Sequence, residues 1–170
     1  MGFVCTLASG IVPIVVVTSR GRAAATFDVG YFDDRPLDLK AVVALEGTPE
    51  PDLTVQLIAV DVERSSEVAT FLSGRTTRRF ISSREDRAAI LNAILAAVHS
   101  VVDTIRPERI HRETQDDDLP DRALRKHLLI EGVIRMSGYS VVEEGLTGGA
   151  HVWVLERTGA VPVALMPLES

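Results

Sequence analysis

The apolar spacing of this chain changes period near Ser82, and that switch limits the possible fold more than any other feature. Ahead of it, apolar residues tend to recur at every second position; behind it, they recur at three and four. Side chains alternate faces along a strand and return to one face about every 3.6 residues in a helix. The chain must therefore bury sheet faces and helix stripes in a common core, which is the α+β class.

Ala24 to Phe32 carries Phe27, Val29 and Tyr31 on one parity and reads as a strand, closed by the turn signal Asp33-Asp34-Arg35-Pro36. Leu39 to Leu45 is a short valine-rich run punctuated by Gly47 to Pro51. Leu53 to Val62 is the clearest strand. Both of its parities are largely apolar after Leu57, as expected of a strand central in its sheet. Val68 to Leu72 is a further strand candidate.

Beyond the switch, Ser82 and Glu85 stand three apart, the spacing of a capping box. Ala88 to Ile105 is helix-forming, and Pro107 stops it. Leu91, Leu95, Val98, Val102 and Ile105 share a face, and alanines widen the stripe. Arg109 to Thr114, alternating Ile110 with charged neighbours, predicts a short strand with one wet face or an edge strand. A second helix is expected over 120–137, with Leu124, Leu128, Val133 and Met136 inward and Gly138 as its left-handed end. Tyr139 to Glu143 and His151 to Arg157 predict a hairpin with a longer loop through Gly145, Gly148 and Gly149.

The economical packing is one twisted, mainly antiparallel or mixed sheet with two helices on one face. Residues 1–22 read as an N-terminal strand or arm, or as an upstream extension. Residues 23–158 read as a single α+β domain, and 159–170 as a C-terminal extension. The apolar runs Phe3 to Leu7 and Ile11 to Val17 lack the leading positive charge of a secretory signal, since Arg20 and Arg22 follow them. Gly10 and Pro13 interrupt the second run, which falls short of the roughly 20 residues of a spanning helix. A cytoplasmic protein that does not enter a membrane is expected.

The length of 170 residues suits one core, and 46% hydrophobic with 25% charged residues is ordinary for a globular chain. Aromatics are only 5%, so Val, Ile, Leu and Ala must fill that core. The net charge of −6 argues against non-specific coating of duplex DNA, so a nucleic-acid partner is not favoured. With one cysteine, Cys5, there is neither an internal disulfide nor a thiolate zinc site. No metal or cofactor is expected.

The sharpest local feature is Arg75, Arg78, Arg79, Arg84 and Arg87 beside a helix start. Guanidinium forks and free helix N–H groups suit anions, so these are the candidate anion-binding residues, for a phosphate, a nucleotide or a nucleic acid. The plainer alternative is a solvated turn whose arginines pair with Glu85, Asp86 and other carboxylates. Asp116, Asp117, Asp118 and Asp121 precede the second helix, where carboxylates favour the helix dipole; they lack a calcium-loop pattern. His99, His111, His127 and His151 show no metal-ligand spacing. His99 is expected half-buried in its helix, and His111 and His151 would meet if their strands were neighbours. No nucleophile elbow, Walker loop or dinucleotide fingerprint is present, and the catalytic residues are unknown.

From Leu53 onward the order of elements, with a helix ending in Gly138-Tyr139 and a terminal hairpin, resembles part of the GNAT acetyltransferase fold. That resemblance implies an acyl-CoA-dependent transferase or an inactive relative. The family's Gly-rich pyrophosphate loop would fall on Arg78-Arg79-Phe80-Ile81-Ser82-Ser83, which has no glycine. Its tyrosine acid, four residues before the helix-ending glycine, is Ile134 here, and its helix-start asparagine falls near His127.

The apolar second face of the Leu53 to Val62 strand leads to the principal expectation. This is a non-enzymatic protein–protein interaction or regulatory module, self-associating as a homo-oligomer or binding another protein. An Ala-, Arg-, Asp- and Val-rich composition fits an accessory factor of bacterial or phage type.

Overall fold

The computed structural model describes residues 2–7, 14–71, 77–114 and 121–159, with backbone alone for 71 and 121–124. The strands are β1 (Phe3–Cys5), β2 (Val16–Ser19), β3 (Arg22–Phe32), β4 (Leu37–Glu46), β5 (Asp52–Asp61), β6 (Ser66–Phe71), β7 (Arg109–Glu113), β8 (Tyr139–Thr147) and β9 (Ala150–Arg157). Two helices, α1 (Arg84–Ile105) and α2 (Asp121–Met136), complete the fold.

All of these strands form one mixed, mainly antiparallel sheet of order β1-β3-β4-β5-β7-β9-β8. β2 joins β1 along the outer edge of β3, and β6 lies beside β5. β5 is central, as its apolar content predicts, and its second edge is divided. Leu57 to Asp61 pairs with β6, while Asp52 alone pairs with His111 of β7 in the one parallel contact. β7 is therefore an interior strand rather than an edge. At the β1 crossing, a Cβ on Gly30 would collide with the Val4 carbonyl, so only glycine admits that close approach.

Both helices share one face of the sheet. Alternation makes that face legible: Ala23, Ala25, Phe27 and Val29 of β3, Leu39, Ala41 and Val43 of β4, and Leu53, Leu57 and Ala59 of β5 enter a single core with Ile110, Trp153 and Leu155. α1 lies on it with Ile90, Ala93, Ile94, Ala97, Val98, Val101 and Val102. The buried stripe is thus rotated from the predicted one: Leu91 and Leu95 flank it, and Ile105 is exposed. α1 is long and apolar enough to cross a membrane, and here its apolar stripe is taken up by the sheet. In α2 the inward pair is Ile130 and Ile134, with Val133 beside them. Leu128 and Met136 point outward, 53% and 83% exposed, and the Leu124 side chain lies outside the described residues.

Local signals hold with shifts of one residue. The N-cap of α1 is Ser83 rather than Ser82, its side chain accepting from the Asp86 N–H at 3.1 Å. Arg106 closes the helix in a left-handed conformation ahead of Pro107, its N–H donating to Val102 O at 2.8 Å. The terminal hairpin is tighter than expected. β8 runs on through Gly145 to Thr147, and a two-residue turn at Gly148 and Gly149 (φ +60° and +93°) reverses it. That doubly positive turn matches the twist of its strands.

Candidate functional site

Neither helix lies on the opposite face of the sheet, where Ala44 and Val154 are buried and most other side chains are half-buried or exposed. Register places its rows in line: Ala24, Ala44 and Thr54; Thr26, Val42 and Gln56; Asp28, Lys40 and Ile58; then Tyr31, Asp38 and Val60. Val42, Ile58 and Val60 are half-buried by their neighbours, while Tyr31 and, at the β2 edge, Val17 are exposed. At the centre the Lys40 ammonium donates to Asp28 Oδ1 at 2.6 Å. The strand pattern produces this directly, since the residues between the buried ones must face the other way.

The predicted arginine cluster separates in space. The Arg87 guanidinium donates to the carbonyls of Ile81 (2.7 Å) and Ser82, stapling the turn ahead of α1. Arg78, Arg79 and Arg84 are exposed and form no ion pair with a described residue. Arg75 and the Asp116, Asp117 and Asp118 run lie outside the described residues, as does the side chain of Asp121. The turn does not fit a pyrophosphate cradle. It has no glycine, Ile81 is fully buried in it, and the Asp86 N–H is already held by Ser83.

The histidines fall in three settings, with His127 and His151 sharing the Trp153 indole. His99 is exposed, a correction to its expected half-burial, on the rim of a shallow groove of about 440 Å³ shared with Ile14, Val16, Ser100, Asp103 and Thr104. The hydroxyls there donate to their own helix carbonyls, Ser100 to Ala96 O at 3.0 Å and Thr104 to Ser100 O at 2.7 Å, which leaves them little reach toward a ligand. His111 and His151 do sit on neighbouring strands but on opposite faces. His111 is paired with Val154 in register and bonded to Asp52 across the open face, whereas His151 exchanges backbone and hydroxyl bonds with Thr114 on the helix side. No group of three or more His, Cys, Asp or Glu side chains among the described residues is placed to hold a metal.

The most densely polar part of the core was not anticipated. Arg112, 4% exposed, stands beside Trp153, 2% exposed, in register on β7 and β9 beneath α2. Its guanidinium donates to His127 O at 3.1 Å and His127 Nδ1 at 2.6 Å, and its carbon lies 5.4 Å from the Trp153 ring centroid. The His127 and His151 rings each stack near the indole, at 5.9 and 5.8 Å. Burial, then the charges of Arg112, Lys126 and His151, pull His127 down to about 3. At neutral pH it is uncharged, with Nδ1 free to accept. Burial lowers Arg112 to about 10, partly opposed by the field of Glu131. One signal was available: Arg112 shares the parity of Ile110, the buried side of its strand.

Comparison with known families, with curated proteins and with solved structures returns no match.

Proposed function

We propose that this protein is a non-enzymatic interaction module that pairs with a second copy of itself through the open face of its sheet. The observation that carries this reading is the helix-free, partly exposed face around Val42, Ile58 and Val60, with Asp28 and Lys40 at its centre. From the outer edge through β6 the face is five strands wide. The three long strands run about 33 Å and the short edge strands fill roughly two-thirds of that length, giving about 700 Å², close to the share of one partner in a standard interface. A two-fold axis brings each patch onto its own copy. A central Asp–Lys pair can then exchange partners, Asp28 of one copy meeting Lys40 of the other.

Sedimentation equilibrium over a wide concentration range tests the reading. A reversible monomer–dimer equilibrium that Val42→Asp with Ile58→Asp abolishes, without loss of the folded signal, is the expected result. A species of 18.4 kDa at every concentration overturns it. A cytoplasmic setting fits the lone cysteine. Cys5 is half-buried, and burial pushes its thiol upward, which keeps it protonated and a poor nucleophile.

The second reading, an anion or nucleic-acid contact, is favoured by Arg78, Arg79 and Arg84, exposed and unpaired with described residues beside the start of α1. A salt-dependent oligonucleotide shift lost in Arg78→Glu with Arg79→Glu supports it; the lack of a shift at low salt ends it.

A further inference from the structure

We propose that Arg112 and the Trp153 indole N–H form a binding site for an oxyanion, a carboxylate or phosphate group carried by a small molecule. The site is separate from the open face and lies on the helix side of β7 and β9.

Two observations point to the same chemistry. First, Arg112 has left water, yet its acceptors are a carbonyl and a neutral imidazole, both on His127. No carboxylate of a described residue is within ion-pair distance of it. Glu131, whose field supports the charge, is engaged with Arg135 at 3.3 Å. A buried charge without a partner of opposite sign is costly. Second, Trp153 Nε1 is buried and finds no acceptor among the described residues, although buried indole N–H groups usually have one.

An oxyanion answers both: it carries the opposite charge that no described carboxylate brings within ion-pair distance of Arg112, and it has several acceptor lone pairs. The neutral His127 ring keeps one further N–H. With Nδ1 accepting from Arg112, the ring proton of the neutral imidazole is on Nε2. A cation is disfavoured by Arg112 and Lys126, which also hold His127 uncharged. Half-buried His151 and exposed Leu146 face each other in register at the adjoining end of the strand pair. Glu144, exposed across from Trp153 on β8, weakly opposes anions.

Trp153 is the only tryptophan in the chain, so its indole ¹⁵N–¹H resonance and its emission report on this site alone. The full chain is titrated with inorganic phosphate, with acetate and with chloride at constant pH and ionic strength. Phosphate, acetate or both should move the resonance saturably, with a midpoint near about 1 mM and at least about tenfold below that of chloride. Saturation by phosphate alone assigns phosphate esters as the source, and by acetate alone assigns carboxylates. Arg112→Gln should raise the midpoint about tenfold, whereas Arg78→Glu with Arg79→Glu should leave it in place. A linear drift common to all three anions overturns the proposal. So does an indole response that follows Arg78 and Arg79 instead of Arg112. The wild-type titration decides even if Arg112→Gln does not fold.

Discussion

The two faces of this sheet are built from the same strands and lead opposite lives. On β4, Leu39, Ala41 and Val43 are wholly buried under α1, while the alternating Asp38, Lys40 and Val42 on the other face are only half-buried. The helix side is closed by aliphatic packing, with one polar cluster at Arg112, His127 and Trp153. The open side mixes small, aliphatic and charged residues, a composition closer to a transient interface than to a core. The lesson is that burial is divided by parity: one residue along a strand separates a position that holds the fold from one left partly exposed.

The largest expected contrast is therefore between adjacent valines. Val43→Asp places an unpaired carboxylate in the core and should cost about 4 kcal/mol or more, enough to unfold much of the population. Val42→Asp, one position on, should cost less than about 1 kcal/mol. Urea melts of the two variants measure the difference, and equal losses would break the comparison.

The same contrast holds on α2. Ile134→Ala should destabilise by about 3 kcal/mol, and exposed Leu128→Ala by no more than about 0.5 kcal/mol.

A third test concerns the polar cluster. His127 has a folded-state value of about 3 against an ordinary 6.5, so the unfolded chain binds the proton more readily. Stability is fully present above pH 6.5 and falls as pH drops toward 3. Partial exposure of the ring lets water offset part of the penalty, leaving about 2 kcal/mol over that window. Melts at stepped pH should show the slope in the wild type, and His127→Gln should flatten it.

The smallest effect separates two neighbouring serines. Ser83→Ala should cost about 1 kcal/mol through loss of the cap, and Ser82→Ala close to nothing.

Much of the architecture was readable from spacing because each element carries its own period. β3 and β5 alternate, α1 follows a helical repeat, and Gly138 ends α2 with φ +91°. Rotation was harder to read than existence. α1 is apolar on several sides, so Leu91, Leu95 and Ile105 make as plausible a stripe as Ile90, Ile94 and Val101. On α2 the true stripe includes His127, a polar residue over the core, which made Leu128 look like the inward position. The tight hairpin was hidden because Gly145 reads as loop while its backbone remains in the ladder. The polar cluster draws on β7, α2 and β9, and only the register of β7 with β9 brings Arg112 to Trp153. Nothing local in the chain encodes that pairing.

The division of labour between the two faces is tested most directly by side-chain footprinting of the native protein at low and high concentration, read residue by residue. Protection at high concentration should be confined to Tyr31, Val42, Gln56, Ile58 and Val60, with Leu128, Leu129 and Met136 on the outer side of α2 labelled equally at both. Unchanged labelling of the sheet face, or protection that appears on α2 instead, would contradict the account.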